Sequence, residues 1–268
     1  MCQVMGILNV TPDSFFDSGC YQEVSSAVDR AAQMIKEGVD ILDVGGESTR
    51  PGAQAVSAEE EIDRIIPVLE ALQSHFPIPL SVDTSKPEVM SAALASGVSF
   101  LNDIRALRVP GALEVAATSA AKVCLMHMQG EPHLMQHAPF YEDVISEVYS
   151  FLEERIKVCI AAGISRDRLW IDPGFGFGKQ LEHNLKLLRH LDVFSFLKIP
   201  ILVGLSRKSM IGKILGDPTK DRLHGSVALA VIAVWQGASI VRVHDVGPTV
   251  QALRVCHAVR TINNYTIS

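Results

Sequence analysis

Cysteine is scarce and unpaired in this 268-residue chain: Cys2, Cys20, Cys124, Cys159 and Cys256 include no CxxC pair. An odd number at such spacings indicates neither a disulfide framework nor a zinc knuckle, and a reducing cytoplasm suits them best. Net positive charge is absent as well. At −6 the chain offers no global field for nucleic acid, so an anionic ligand must be held by local basic residues. No basic stretch opens the sequence, and a polar turn is reached by Asn9, so no signal peptide is expected. Long apolar runs are missing too. The greasiest, residues 227–235, falls well short of the roughly 18 to 20 residues that span a bilayer. Two nucleotide-binding signatures are also lacking. The glycines at 174, 176 and 178 read GxGxG rather than GxGxxG, and they follow the sixth apolar run instead of opening a βαβ pair. Residues 204–209, GLSRKS, have neither the four-residue spacer nor the second glycine of a phosphate-binding loop.

What is present is a repeat. Hydrophobic residues at 48% allow a substantial core, and nothing resembling a linker divides the chain, so residues 1–268 read as one domain. Residues 168–179, RLWIDPGFGFGK, show the unit: a short apolar run, a carboxylate at Asp172, then a turn rich in proline and glycine. Such a run is too short for a helix and suits a strand buried on both faces. The same arrangement recurs where residues 4–8 end at Asn9, 41–42 lead into Asp43, 80–82 end at Asp83 and 99–101 end at Asn102 and Asp103. It recurs again where 123–126 end at His127, 201–205 end at SRKS, and 239–243 end at Arg242 and His244. Between these runs lie helical spacings over residues 25–37, 62–72, 141–162, 181–191, 223–235 and 248–260, with shorter helices from Pro87 and from about Gly111. Ser57 and Glu60 have the spacing of a capping box before the second helix. Eight strand-then-helix units of roughly 34 residues predict parallel pairing and a single α/β (β/α)8 TIM barrel, its active site at the C-terminal ends of the strands. A doubly wound open sheet is the alternative.

The strand ends collect Asp43, Asp83, Asn102, Asp172, Lys208, Arg242 and His244. Any one of these could cap a helix or neutralise a neighbour, but seven at one barrel mouth outnumber such roles. Carboxylates, an amide and a lysine suit a flat heterocycle bearing amidine-like donors and a carbonyl. Arg50, Arg242 and His244 suit phosphate. His127, His133 and His137 lie in a loop rich in Met and Gln without a carboxylate partner. That loop points away from zinc, and a hard cation such as Mg²⁺ held by one or two oxygens and substrate phosphate fits better.

Eight segments now carry a resemblance: NVTPDSF (9–15), DVGGESTRPGA (43–53), SVDTSKP (81–87), NDI (102–104), LMHMQG (125–130), DPGFGFGK (172–179), SRKS (206–209) and VRVHD (241–245). In content and order they resemble the dihydropteroate synthases, from Met5 to the last helix. The chain differs in a shorter stretch before the first strand, which removes no motif. The resemblance implies condensation of 6-hydroxymethyl-7,8-dihydropterin pyrophosphate with p-aminobenzoate to give dihydropteroate and pyrophosphate. By that likeness Asp83, Asn102, Met126, Asp172 and Lys208 bind the pterin, and Thr49, Arg50, Arg242 and His244 face the pyrophosphate with Asn9, which also contacts Mg²⁺. Pro51, Phe177 and Ser209 shape the p-aminobenzoate pocket, and Asp83, Lys208, Arg242 and His244 serve catalysis. Sulfonamides, which mimic the aryl amine, are expected to compete there. A pterin-binding methyltransferase domain shares barrel and pocket but should lack NVTPDSF and SRKS, and a non-catalytic paralogue should have lost Asn9, Arg50 or Lys208. The loops carrying Asn9, Arg50, Pro51 and Phe177 are expected to be mobile until substrates bind. The all-apolar residues 227–235, with the family's habit, imply a homodimer.

Overall fold

The computed structural model describes residues 2–10, 20–47, 56–130, 139–217 and 221–262. Strand and helix alternate as β1 (Gln3–Asn9), α1 (Cys20–Glu37), β2 (Ile41–Gly45), α2 (Ala58–His75), β3 (Leu80–Asp83), α3 (Pro87–Ala95), β4 (Phe100–Asp103) and α4 (Ala112–Thr118). The second half continues with β5 (Lys122–Met126), α5 (Val144–Ala161), β6 (Leu169–Asp172), α6 (Leu181–Arg189), β7 (Leu202–Val203), α7 (Ser209–Leu215), α8 (Leu223–Trp235), β8 (Ile240–Val243) and α9 (Val246–Arg260). All strand pairs are parallel, in the order β6-β5-β4-β3-β2-β1-β8-β7. A parallel bridge between Ile171 and Ile201, with Ile171 N–H donating to Pro200 O, joins the two ends of that order and closes the barrel. The open sheet is thereby excluded.

Two apolar layers hold the barrel. Outward residues of the strands, among them Leu8, Val44, Val82 and Leu101, share one buried cluster with Ile65, Leu69 and Leu72 of α2. Fully burying each such side chain is worth roughly 1.5–3 kcal/mol. Inward residues alternate with them along each strand. Met5, Ile41, Phe100, Cys124, Trp170, Leu202 and Ile240 form a separate inner cluster, which is the floor of the barrel. The expected helix over 223–235 is found, and residues 209–215 form α7 ahead of it, unforeseen from the sequence. At α2, Ser57 accepts from Glu60 N as the capping box requires, but the Glu60 carboxylate turns to Arg64 instead. No helix among the described residues is long and apolar enough to cross a membrane.

Candidate active site

One step above the floor the inward positions turn polar. Asp43, Ser81, Asn102 and Arg242 occupy β2, β3, β4 and β8 there. Asp43 is fully buried in mid-strand, beneath the rim where the sequence reading had placed it. It accepts from Ser81 Oγ at 2.5 Å, Asn102 Nδ2 at 3.3 Å and Arg242 Nε at 2.5 Å. The same guanidinium donates through Nη2 to Asp83 at 2.6 Å. Arg242 thus bridges one carboxylate inside the barrel and one at its mouth. A carboxylate this deep is tolerable only because a charged fork and two neutral donors surround it.

The rim holds Asn9, Asp83, Asp172, Lys208 and His244. Burial pushes the Asp83 carboxyl up to about 7, against the pull of Arg242, and pushes Asp172 up to about 6, against the Gly174 N–H that donates to it at 2.7 Å. Lys208 falls to about 8 through burial and the nearness of Arg242, and its ammonium lies 4.0 Å from the centre of the Phe177 ring. Ser209 follows as the first, exposed residue of α7. Phe177 also meets Ile104, Met126 and Met128 in a small apolar cluster. The Ser206 hydroxyl accepts from His244 N at 3.2 Å and stands 3.0 Å from His244 Nδ1. These two contacts fix the orientation of the His244 ring.

The turn after β6 was expected to be mobile, and it is instead pinned along its length. Gly176 N donates to Asn184 Oδ1 at 2.7 Å and Gly178 O accepts from the Tyr141 hydroxyl at 2.8 Å. A Cβ at Gly174 would come within 1.8 Å of His127 O, so the close approach to β5 admits only glycine at this positive φ. Lys179 is buried at the centre of the turn. Lys179 is not among the residues expected at the site; its signal in the sequence is a lysine ending so apolar and glycine-rich a motif. His127, read there as a doubtful metal ligand, presents Nδ1 to the Lys179 ammonium at 2.9 Å.

Thr49, Arg50 and Pro51 lie outside the described residues, as do residues 11–15, His133 and His137. Their stretch begins after Glu47, which accepts from Lys86 Nζ at 2.7 Å and from Val56 N at 3.2 Å. Lys86 also reaches the buried Glu61, whose carboxyl burial pushes up.

A polar layer of paired charges over an apolar floor, opening at the carboxyl ends of parallel strands, is an active-site arrangement. The family model described as "Pterin binding enzyme" matches residues 5–244. Dihydropteroate synthase of Escherichia coli K12 is 56% identical over 255 residues, 95% of this chain and 90% of the relative. The Yersinia pestis dihydropteroate synthase, solved with a sulfonamide drug, superposes with a TM-score of 0.92 at 52% identity, covering 97% of this chain and 94% of that one. The Xanthomonas albilineans enzyme, solved with 4-aminobenzoic acid, gives 0.91 at 51% identity, covering 97% and 93%. With eight parallel strands, their polar ends and these likenesses all in agreement, the chain belongs to the dihydropteroate synthase family of pterin-binding enzymes.

Proposed function

We propose that the dihydropterin lies over the polar layer, with Asp83, Asn102, Asp172 and Lys208 at its edges and Met126 against its face. Asn9, Thr49, Arg50, Arg242 and His244 face the pyrophosphate, and Pro51, Phe177 and Ser209 line the p-aminobenzoate pocket. The chain is a transferase that condenses 6-hydroxymethyl-7,8-dihydropterin pyrophosphate with p-aminobenzoate to 7,8-dihydropteroate and pyrophosphate. The observation that carries this division is the Asp43–Arg242–Asp83 bridge beside Asp172 and Lys208.

The chemistry follows from where the charges sit. The methylene C–O bond to pyrophosphate breaks, the amine nitrogen forms the C–N bond, and the amine gives up a proton. Positive charge grows on the pterin, near the Asp83 and Asp172 carboxylates, while negative charge grows on the leaving oxygens. The Arg242 guanidinium and the His244 ring face those oxygens. Such preorganised charges act mainly on the transition state. A weakly basic aryl amine needs placement more than a strong base. Phe177 supplies part of that placement.

The donor set fits Mg²⁺. A Cβ at Gly45 would stand 3.8 Å from Asn9 Oδ1 and 3.6 Å from the Asp83 Cβ, which places the Asn9 amide oxygen and Asp83 on either side of the same glycine. Mg²⁺ usually takes only one or two protein oxygens and completes its shell with phosphate and water. Bound there through Asn9, it would neutralise charge on the leaving pyrophosphate. Pyrophosphate release that depends on p-aminobenzoate is therefore expected, suppressed by EDTA and restored by Mg²⁺. Pterin binding without such release would refute the catalytic reading, and full activity in metal-free buffer would refute the part given to Mg²⁺.

The protein works in the cytoplasm as a homodimer in this reading. Cys124, Cys159 and Cys256 are buried free thiols, as a reducing compartment permits. On α8, Ala228, Ile232 and Trp235 form an outward stripe, with Ile232 45% and Trp235 55% exposed. Beside it α9 exposes Val255 and Val259, and Arg260 of α9 donates to Val234 O. An apolar face of this kind needs a cover, and a second copy supplies one. Light scattering should give twice the 29.1 kDa chain mass. A single species at the chain mass in dilute solution would reject the dimer.

A further inference from the structure

We propose that Lys179 is a positioning residue for the aryl-amine pocket: its ammonium is the fixed centre around which the turn after β6 is wrapped, and it thereby sets the place of Phe177. This rests on the reading above that Phe177 walls the p-aminobenzoate pocket. The Lys179 ammonium donates to Gly174 O at 2.9 Å and to Phe177 O at 3.0 Å, within its own turn. It reaches across to the end of β5 at His127 Nδ1, 2.9 Å away, and at His127 O, 3.4 Å away. Burial pulls the Lys179 amine down to about 7, and in its ammonium form the three donors are shared among backbone carbonyls and one ring nitrogen from two neighbouring strand ends.

The chemistry of these partners explains why a lysine is there. Within the turn Gly174 O already accepts from Phe177 N at 3.2 Å, and Lys179 adds a second donor there and a donor for Phe177 O, with the positive φ at Gly174 and Gly176 helping to turn these carbonyls inward. Left without donors, buried carbonyls are costly. A methionine would fill a similar volume but take the ammonium donor away from Phe177 O. His127 is held neutral, because burial and the Lys179 charge both drive its ring far below the usual histidine range, so Nδ1 serves as an acceptor. It packs edge-on to Phe151 with ring centres 4.9 Å apart, which keeps it in place. The consequence reaches the site through one residue. With its carbonyl fixed, Phe177 holds its ring beneath the Lys208 ammonium. No direct contact between Lys179 and substrate is needed.

The test is a split between the two substrates. Lys179→Met, folded by circular dichroism, is expected to raise the KM for p-aminobenzoate tenfold or more. The dissociation constant of a pterin, measured by calorimetry, should move less than threefold. Lys179→Ala should show the same split, and millimolar methylammonium, entering the vacated cage, should restore much of the lost KM. Unchanged KM in a folded variant overturns the proposal, as does equal damage to both ligands or no rescue. If neither lysine variant folds, His127→Phe decides, since it keeps the packing on Phe151 and removes only the Nδ1 acceptor. It should raise the same KM about threefold, and no change would overturn the proposal. Phe177→Ala separates the two levels of inference. If it leaves the KM for p-aminobenzoate untouched, the placing of Phe177 in the pocket has failed. If it raises that KM while Lys179→Met does not, the role given to Lys179 has failed.

Discussion

Arg242→Met is expected to abolish turnover and to lower the melting temperature by roughly 10 °C. The guanidinium joins Asp43 and Asp83 at 2.5 and 2.6 Å, and Asp43 has no access to solvent. Breaking a buried pair by removing one partner costs about 3–5 kcal/mol, because the other charge is left uncompensated. In a chain of this size each kcal/mol shifts the midpoint by roughly 2–4 °C. The deficit should depend on pH in a defined sense. Burial holds the Asp83 carboxyl above its unfolded value, and without the arginine the opposing pull is gone, so its contribution is favourable at low pH and lost as pH rises. The variant should therefore fall further below wild type at pH 8 than at pH 5. Adding Asp43→Asn to Arg242→Met should recover part of the loss at pH 8, since it removes the stranded charge. A melting temperature within 2 °C of wild type would show that the bridge carries no such weight.

Asp172→Asn is expected to weaken pterin binding tenfold or more at pH 8 while raising the stability of the unliganded protein there. Loss of one partner from a charge-assisted hydrogen bond costs about 1.5–3 kcal/mol. In the unliganded protein burial holds the Asp172 carboxyl at about 6, against an ordinary value of 3.8. The folded state keeps this proton to higher pH than the unfolded chain does. Its contribution to folding is complete below about pH 4 and is lost as pH rises through about 6. Binding has the opposite sign, because the ionised carboxylate is the better acceptor for the pterin's donors. Pterin affinity in wild type should climb as pH passes 6, and the asparagine variant should lose that limb. Asp83, also raised by burial, adds a limb at higher pH that both proteins share. Calorimetric titration from pH 5 to 8, paired with thermal melts, reads both effects. An affinity for pterin equal to wild type would remove Asp172 from the site.

The amino-acid sequence by itself determined the barrel, because its signals are local. Each short apolar run, each polar residue at its end and each helical spacing can be read within one unit, and eight in succession leave few topologies open. Asn102 of the polar layer and the rim residues Asp83, Asp172, Lys208 and His244 were legible for the same reason, each standing where an apolar run stops. Only the tertiary structure decided how these groups are paired. Arg242 meets Asp43 across 199 positions of sequence, and Lys179 meets His127 across 52. Neither pairing has a local signature, since both arise when the closing sheet brings distant strands to the same height. The turn bearing Phe177 shows the same limit. Glycine and proline in sequence suggested mobility, yet the folded turn is hydrogen-bonded along its length. Its carbonyls find their donors on a buried lysine, and its glycines are needed for the close approach to β5.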